Sequence, residues 1–355
     1  MHDSTPRATG RFVWTLAAVG LIFASLVRGE AGTLGFGELV DGFASLLGIG
    51  DTAARPSDAI VELRLSRTLV ALGVGASLGL SGALLQGVFR NDLASPAVLG
   101  VTTGASLGAA LAILATGGYG PLAFVGPGGA WSPVWVSLAA FAGAVGVLGF
   151  VTAIGTRGGV ISIPTLLLAG LAVNAVVGGL LAAIQSFALS DFDLARALLS
   201  WGFGRITDHG IGAVATLFAS LAVGASVIPF VASELDLFQA SETDAARLGV
   251  DVRAVKFRVL GAAGLLAGVS VATVGQIAFV GLLVPHLVRL VVGRSNTRVL
   301  ALSAVGGGLF LVACDLLQRE MLDLVDLRTG VWMSVIGGPA FLLLLVRQKE
   351  SLESW

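Results

Sequence analysis

Long apolar runs separated by short charged patches fill the chain from residue 12 to residue 346. A hydrocarbon core about 30 Å thick takes about 20 apolar residues per helical crossing. Residues 12–27 form the first such run, and 68–89, bounded by Arg67 and Arg90, form the second. Residues 93–156 carry no charge and are too long for one span. The Gly/Pro-rich stretch 117–133 divides them into a third and a fourth. Residues 158–190 and 210–233 supply the fifth and sixth. Residues 259–292, interrupted at Gly275, hold the seventh and eighth, and 299–314 and 329–346 are the ninth and tenth. The pattern predicts an all-α, polytopic membrane protein of about ten helices in one integral domain. Its polar parts are a tail at 1–11, a loop at 28–62, a segment at 234–251 and a tail at 347–355.

Composition agrees with that pattern. The chain is 55% hydrophobic and only 12% charged, whereas soluble domains carry about 25% charged residues. With Lys+Arg 21 against Asp+Glu 22, no global charge points to nucleic acid. Thirteen of the 21 basic residues fall on one side of the predicted spans and eight on the other, which orients both termini toward the cytoplasm in a cell membrane. The 50 glycines suit close helix packing in lipid, and Gly75/Gly79, Gly104/Gly108 and Gly264/Gly268 form small-xxx-small pairs. A single cysteine, Cys314, permits no internal disulfide.

Several chemistries are missing. The only lysines, Lys256 and Lys349, stand outside any Gly-x-x-x-x-Gly-Lys-Ser/Thr sequence, so the chain hydrolyses no nucleotide and is not expected to be an enzyme. His2, His209 and His286 share no metal-ligand spacing, and neither metal nor cofactor is expected. An ion-coupled carrier working alone would keep ionisable groups at mid-membrane. The mid-span polar residues here are Gln86, Asn174, Gln185 and Gln276. Of these, Gln86, Asn174 and Gln276 are the candidates for lining a translocation path, and plain interhelical hydrogen bonding is the competing reading. A non-transporting scaffold is a further alternative.

Two constellations stand out. Ser241-Glu242-Thr243-Asp244 reads as a helix start with a serine cap. Ala245, Arg247 and Leu248 continue that helix, and Gly249 suits a left-handed stop. Asp251 can cap the following span. The result is a short, rigid knob on the cytoplasmic face, suited either to a groove on a partner protein or to a plain loop helix. On the other side Arg64, Arg67 and Arg319 sit at a membrane mouth, suited either to a partner's carboxylates or to lipid headgroups.

The chain resembles the permease subunits of type II ABC importers (the FecCD-like family) for iron–siderophore, haem and cobalamin uptake. The likeness runs from Arg64 to Arg347. It is carried by Arg64-Leu65-Ser66-Arg67, Ser81 to Gln86, Arg90 to Pro96 with Leu99-Gly100, and Ala246 to Val250. Gly275 to Arg289, and Gly330 with Ile336-Gly337-Gly338-Pro339, complete it. The resemblance implies ten helices, a second permease subunit, two cytoplasmic ABC ATPase subunits and an extracytoplasmic substrate-binding protein. It implies ATPase coupling through Ser241, Glu242, Asp244, Ala245, Arg247, Leu248 and Gly249, and docking of the binding protein through Arg64, Arg67 and Arg319. A ferric siderophore is the expected cargo, with haem or cobalamin as alternatives. The family usually has proline where Ser66 and Asp92 stand, and Leu-Pro where Leu327-Arg328 stand. Ser66 leaves the spacing of its flanking arginines less fixed, Asp92 is expected to have little effect, and Arg328 adds an outer positive charge.

Overall fold

The computed structural model describes residues 5–29, 32–49, 56–117, 132–206, 210–239, 241–293, 295–321 and 327–352. His2, His209 and most of the stretch 117–133 lie outside them. Ten apolar helical units form the bundle. They are α1 (Thr5–Val27), α3 (Pro56–Phe89), α4 (Val101–Thr116), α5 (Ser132–Gly155), α6 (Ile163–Ala188), the pair α8 (Gly210–Ala225) and α9 (Ile228–Phe238), α11 (Val252–Val274), α12 (Val280–Val292), α13 (Asn296–Met321) and α14 (Thr329–Leu352). Between them lie α2 (Phe36–Leu46), α7 (Phe192–Gly202), the short α10 (Glu242–Arg247), and two tiny antiparallel hairpins. These hairpins are β1 (Arg28–Gly29) with β2 (Gly32–Thr33), and β3 (Thr156–Arg157) with β4 (Val160–Ile161). Among the described residues, five helices are long and apolar enough to cross a membrane alone, and α8 with α9 makes a sixth bent by 51°. Pro229 opens α9 without an amide donor, which accounts for the bend.

The central helix is α3. Its 34 residues span about 50 Å at 1.5 Å per residue, more than the membrane requires. It begins at Pro56, where a missing amide costs nothing, rather than at Thr68 as the charge-free run suggested. Ser66 retains the amide that proline would remove, so the helix runs unbroken through Arg64 and Arg67 and their spacing is fixed. The loop expected at 28–62 is instead largely folded, with Leu34, Leu39 and Val61 packed in a small core of their own.

Glycine places these helices backbone to backbone. A Cβ on Gly75 or Gly79 would strike the carbonyls of Gly307 and Ser303 on α13, and one on Gly82 would strike Gly281 at the start of α12. Gly104 and Gly108 meet α5 in the same way at Gly143 and Ala139, while Gly264 and Gly268 receive Leu148 and Phe141 of α5. All three expected glycine pairs are therefore contact surfaces, as close van der Waals packing in lipid demands.

One span is discontinuous. α12 has 13 residues, about 20 Å, and cannot cross a core of about 30 Å. The preceding residues 275–279 thus carry irregular backbone at membrane depth, which is tolerated only inside protein or beside a water-filled cavity. Phe279 sits at φ 66 in the left-handed region, which disfavours bulky side chains, and is held there against Gly337 of α14. The Arg205 amide donates to the Val274 carbonyl at 2.8 Å, and the Gly330 amide donates to Gly204 at 3.2 Å, closing a knot around the break.

Candidate functional site

The turns at residues 90–100 and 241–251 and the start of α13 share one end of the bundle, here the basic end. Its protruding element is α10. The Ser241 hydroxyl accepts the Asp244 amide at 2.9 Å and also lies 2.9 Å from the Asp244 carboxylate. The chain then stops in the expected way. Gly249 takes φ 92, and the Val250 amide reaches back to the Ala245 carbonyl at 3.1 Å. Asp251 caps α11 through the Ala254 amide at 3.0 Å. Ala245 is fully buried beneath the knob, whereas Leu248 is 70% exposed and the Arg247 side chain 77%. An exposed leucine and arginine on a capped six-residue helix make a presentable contact surface.

Glu242 does a different job. Its carboxylate takes a hydrogen bond from the Lys256 ammonium at 2.7 Å, and the same ammonium donates to the Ile161 carbonyl at 2.8 Å. Lys256 is 3% exposed. One buried charge therefore ties α10 to the start of α11 and to the β3–β4 hairpin. From the sequence alone, Lys256 bears only on the absence of a nucleotide site.

A second tie crosses the same end. Arg289 on α12 donates to Asp92 at 2.6 Å and to the Gln86 side-chain oxygen at 2.5 Å. His286 Nδ1 is 3.8 Å from the other Asp92 oxygen. Asp92 was expected to have little effect; it is the acid that closes this bridge between the turn after α3 and α12. Its side chain is 42% exposed, which limits such a pair to about 0.5–1 kcal/mol. Asp92→Asn should accordingly speed amide hydrogen exchange across 91–100 about two- to fivefold. Mass-spectrometric exchange showing no change there would refute the tie.

The three path candidates are all engaged. Gln86 is buried and donates to the Leu282 carbonyl at 3.1 Å. Asn174 donates to Ala97 at 3.0 Å and accepts from Thr103, fixing α6 to the turn before α4. The Gln276 amide donates to Ser106, joining the break in the α11–α12 span to α4. Their amides are spent on interhelical bonds, the competing reading stated above.

The outer arginines are largely buried rather than solvent-facing. Arg64 and Arg319 are 6% and 7% exposed, and the Arg67 side chain is 14% exposed. Arg64 donates to the carbonyls of Leu26, Val27 and Gly32, pinning the end of α1 and the β1–β2 hairpin. Arg67 donates to one Asp315 oxygen at 3.0 Å, and Arg319 donates to the other at 2.9 Å through Nε. Arg319 also reaches the Ser25 carbonyl at 3.0 Å. These guanidiniums point inward because α3 starts earlier than its apolar run, and the end of α1 with the β1–β2 hairpin receives Arg64 and Arg319. Asp315, fully buried, is the centre of the cluster. Arg328 is likewise committed, to the Ser200 carbonyl at 3.0 Å and hydroxyl at 2.8 Å. Among the described residues, no group of three or more His, Cys, Asp or Glu is placed to hold a metal ion.

Comparison with known proteins places these features in context. The model of the FecCD transport family matches residues 16–347. The cobalamin import system permease protein BtuC of Halobacterium salinarum is 38% identical over 289 residues, covering 81% of this chain and 73% of that one. The hemin transport system permease protein HmuU of Yersinia pestis is 34% identical over 293 residues, covering 82% and 84%. A solved inward-facing metal-chelate type ABC transporter superposes with TM-score 0.71 at 26% identity, covering 93% of this chain and 99% of its own.

Proposed function

The chain belongs to the FecCD transport family and is a membrane permease subunit of a type II ABC importer, with ATP hydrolysed on a separate subunit; on that footing we propose how it is oriented, how it is driven and what it carries. Both termini and the basic end face the cytoplasm, in line with the excess of Lys and Arg on that side. Ser241, Glu242, Asp244, Ala245, Arg247, Leu248 and Gly249 form the coupling knob. Leu248 and Arg247 enter the ATPase, and Glu242 with Lys256 fixes the knob to the bundle. The exposure of Leu248 above a fully buried Ala245 is the observation that carries this reading. A second permease subunit, most simply another copy, completes the path.

The binding protein docks at the opposite end. Because Arg64, Arg67 and Arg319 are turned inward, its carboxylates meet the exposed Arg28, Arg196 and Arg205 instead. Such rim charges act mainly on the rate and register of encounter. The cargo is a metal chelate. Within that class a cobalt or iron tetrapyrrole is placed ahead of the ferric siderophore expected from the sequence, since relatives are named for cobalamin and hemin.

Proteoliposomes holding the permease with its ATPase and binding protein test this. ATP-dependent accumulation of cyanocobalamin or haem is expected, with ferric hydroxamate as the competing cargo. Uptake driven by a proton or sodium gradient without ATPase would overturn the importer reading. Accumulation of the siderophore alone would overturn only the cargo.

A further inference from the structure

A groove of about 590 Å³ opens between α5 and α11. Gly149 and Gly261 line it with nothing standing above their missing Cβ positions. Phe257, 43% exposed, and Leu260 form much of the α11 wall. Thr152 lies on the α5 wall and Thr156 just beyond it at the start of β3, and the Thr156 hydroxyl is donated to the Thr152 carbonyl at 2.7 Å. The shaft is thus apolar, and its size falls within the roughly 300–1,000 Å³ range of small-molecule sites.

The rim at the basic end has the opposite character. Arg253 is exposed and stacks on the Phe257 ring, 5.7 Å from its centroid. Its guanidinium lies against Gly159, in the turn of the hairpin that also carries the exposed Arg157. Carboxylates at the adjoining helix starts are occupied: Glu242 by Lys256, and Asp251 by the Ala254 amide. Two exposed arginines therefore stand beside one end of an apolar shaft. We propose that this groove holds an anionic glycerophospholipid of the cytoplasmic leaflet, with an acyl chain between α5 and α11 and its phosphate at Arg157 and Arg253.

Basic pockets between membrane helices on the cytoplasmic side select anionic headgroups, and each arginine near such a surface contributes roughly fivefold in binding. The position of the rim in that leaflet rests on the orientation proposed above. Binding is read on the purified full-length permease, without ATPase or cargo, so a failure of the transport reading leaves it intact. In native mass spectrometry, palmitoyl-oleoyl phosphatidylglycerol should be retained about 25-fold better than the phosphatidylcholine of the same chains. Arg157→Gln with Arg253→Gln should reduce that ratio to under about threefold while leaving phosphatidylcholine binding unchanged. Gly261→Trp should fill the shaft and displace both lipids from the site. Glycerol 1-phosphate, a headgroup without chains, should not compete. Equal retention of the two lipids, an unaltered ratio in the double variant, or competition by glycerol 1-phosphate would each overturn the proposal. All variants sit on exposed surface, and a melting temperature in detergent within about 2 °C of the parent confirms that each is folded.

Discussion

Asp315→Leu should be the most damaging single change at the outer end, costing about 3–5 kcal/mol, because it strands two guanidiniums that have almost no access to water. Arg67 and Arg319 approach Asp315 from α3 and α13, and Arg319 extends to the end of α1 at Ser25. Removing the acid leaves like charges facing each other across the gap and unties three helices together. Arg67→Leu should be milder, since Asp315 keeps Arg319, and Asp315→Asn should fall between because it retains one of the two acceptor oxygens. Fluorescence-detected thermal unfolding of the detergent-solubilised protein separates the three. If Asp315→Leu melts within about 2 °C of the parent, the cluster is not a structural brace. If Asp315→Leu folds normally but loses the binding protein, docking at this cluster is restored as the better account.

The second large effect concerns the knob. Leu248→Asp combined with Arg247→Glu should reduce ATP-driven transport more than 30-fold, as loss of about 2 kcal/mol at an interface hot spot implies. Folding should be nearly untouched, since both side chains are exposed and substitutions on such surface stay within about 0.5 kcal/mol. Co-purification of the ATPase supplies the direct readout. Lys256→Met offers the converse: an intact contact face on a knob whose anchor is gone, so the ATPase still binds but transport per ATP falls. Wild-type transport in the Leu248/Arg247 double variant, at normal expression, would end the coupling assignment.

Apolar runs were a faithful guide to the spans because lipid imposes the same demand on each helix, about 20 apolar residues with backbone groups bonded internally. The caps at Ser241, Gly249 and Asp251 were equally legible, since capping is chemistry among residues three to five apart. The three glycine pairs were legible for the same reason. What escaped was pairing between distant residues. Nothing near Arg67 in sequence points to Asp315, 248 residues away, or near Arg289 to Asp92, 197 residues away. Charge at the margin of an apolar run reads as solvent-facing, and the reading failed where the end of α1 and the β1–β2 hairpin receive Arg64 and Arg319. α7 was overlooked although a local signal existed, the Asp191 carboxylate capping the Asp193 and Leu194 amides.

The Lys256 ammonium has a mechanical corollary. It splices the knob, the foot of α11 and the β3–β4 strap linking α5 to α6 at a single point. A displacement of α10 cannot then be absorbed by one hinge; it is handed on to three membrane helices in step. A stroke delivered from below would arrive as the tilt of a plate, with loss of this one cation turning a lever into a loose pin.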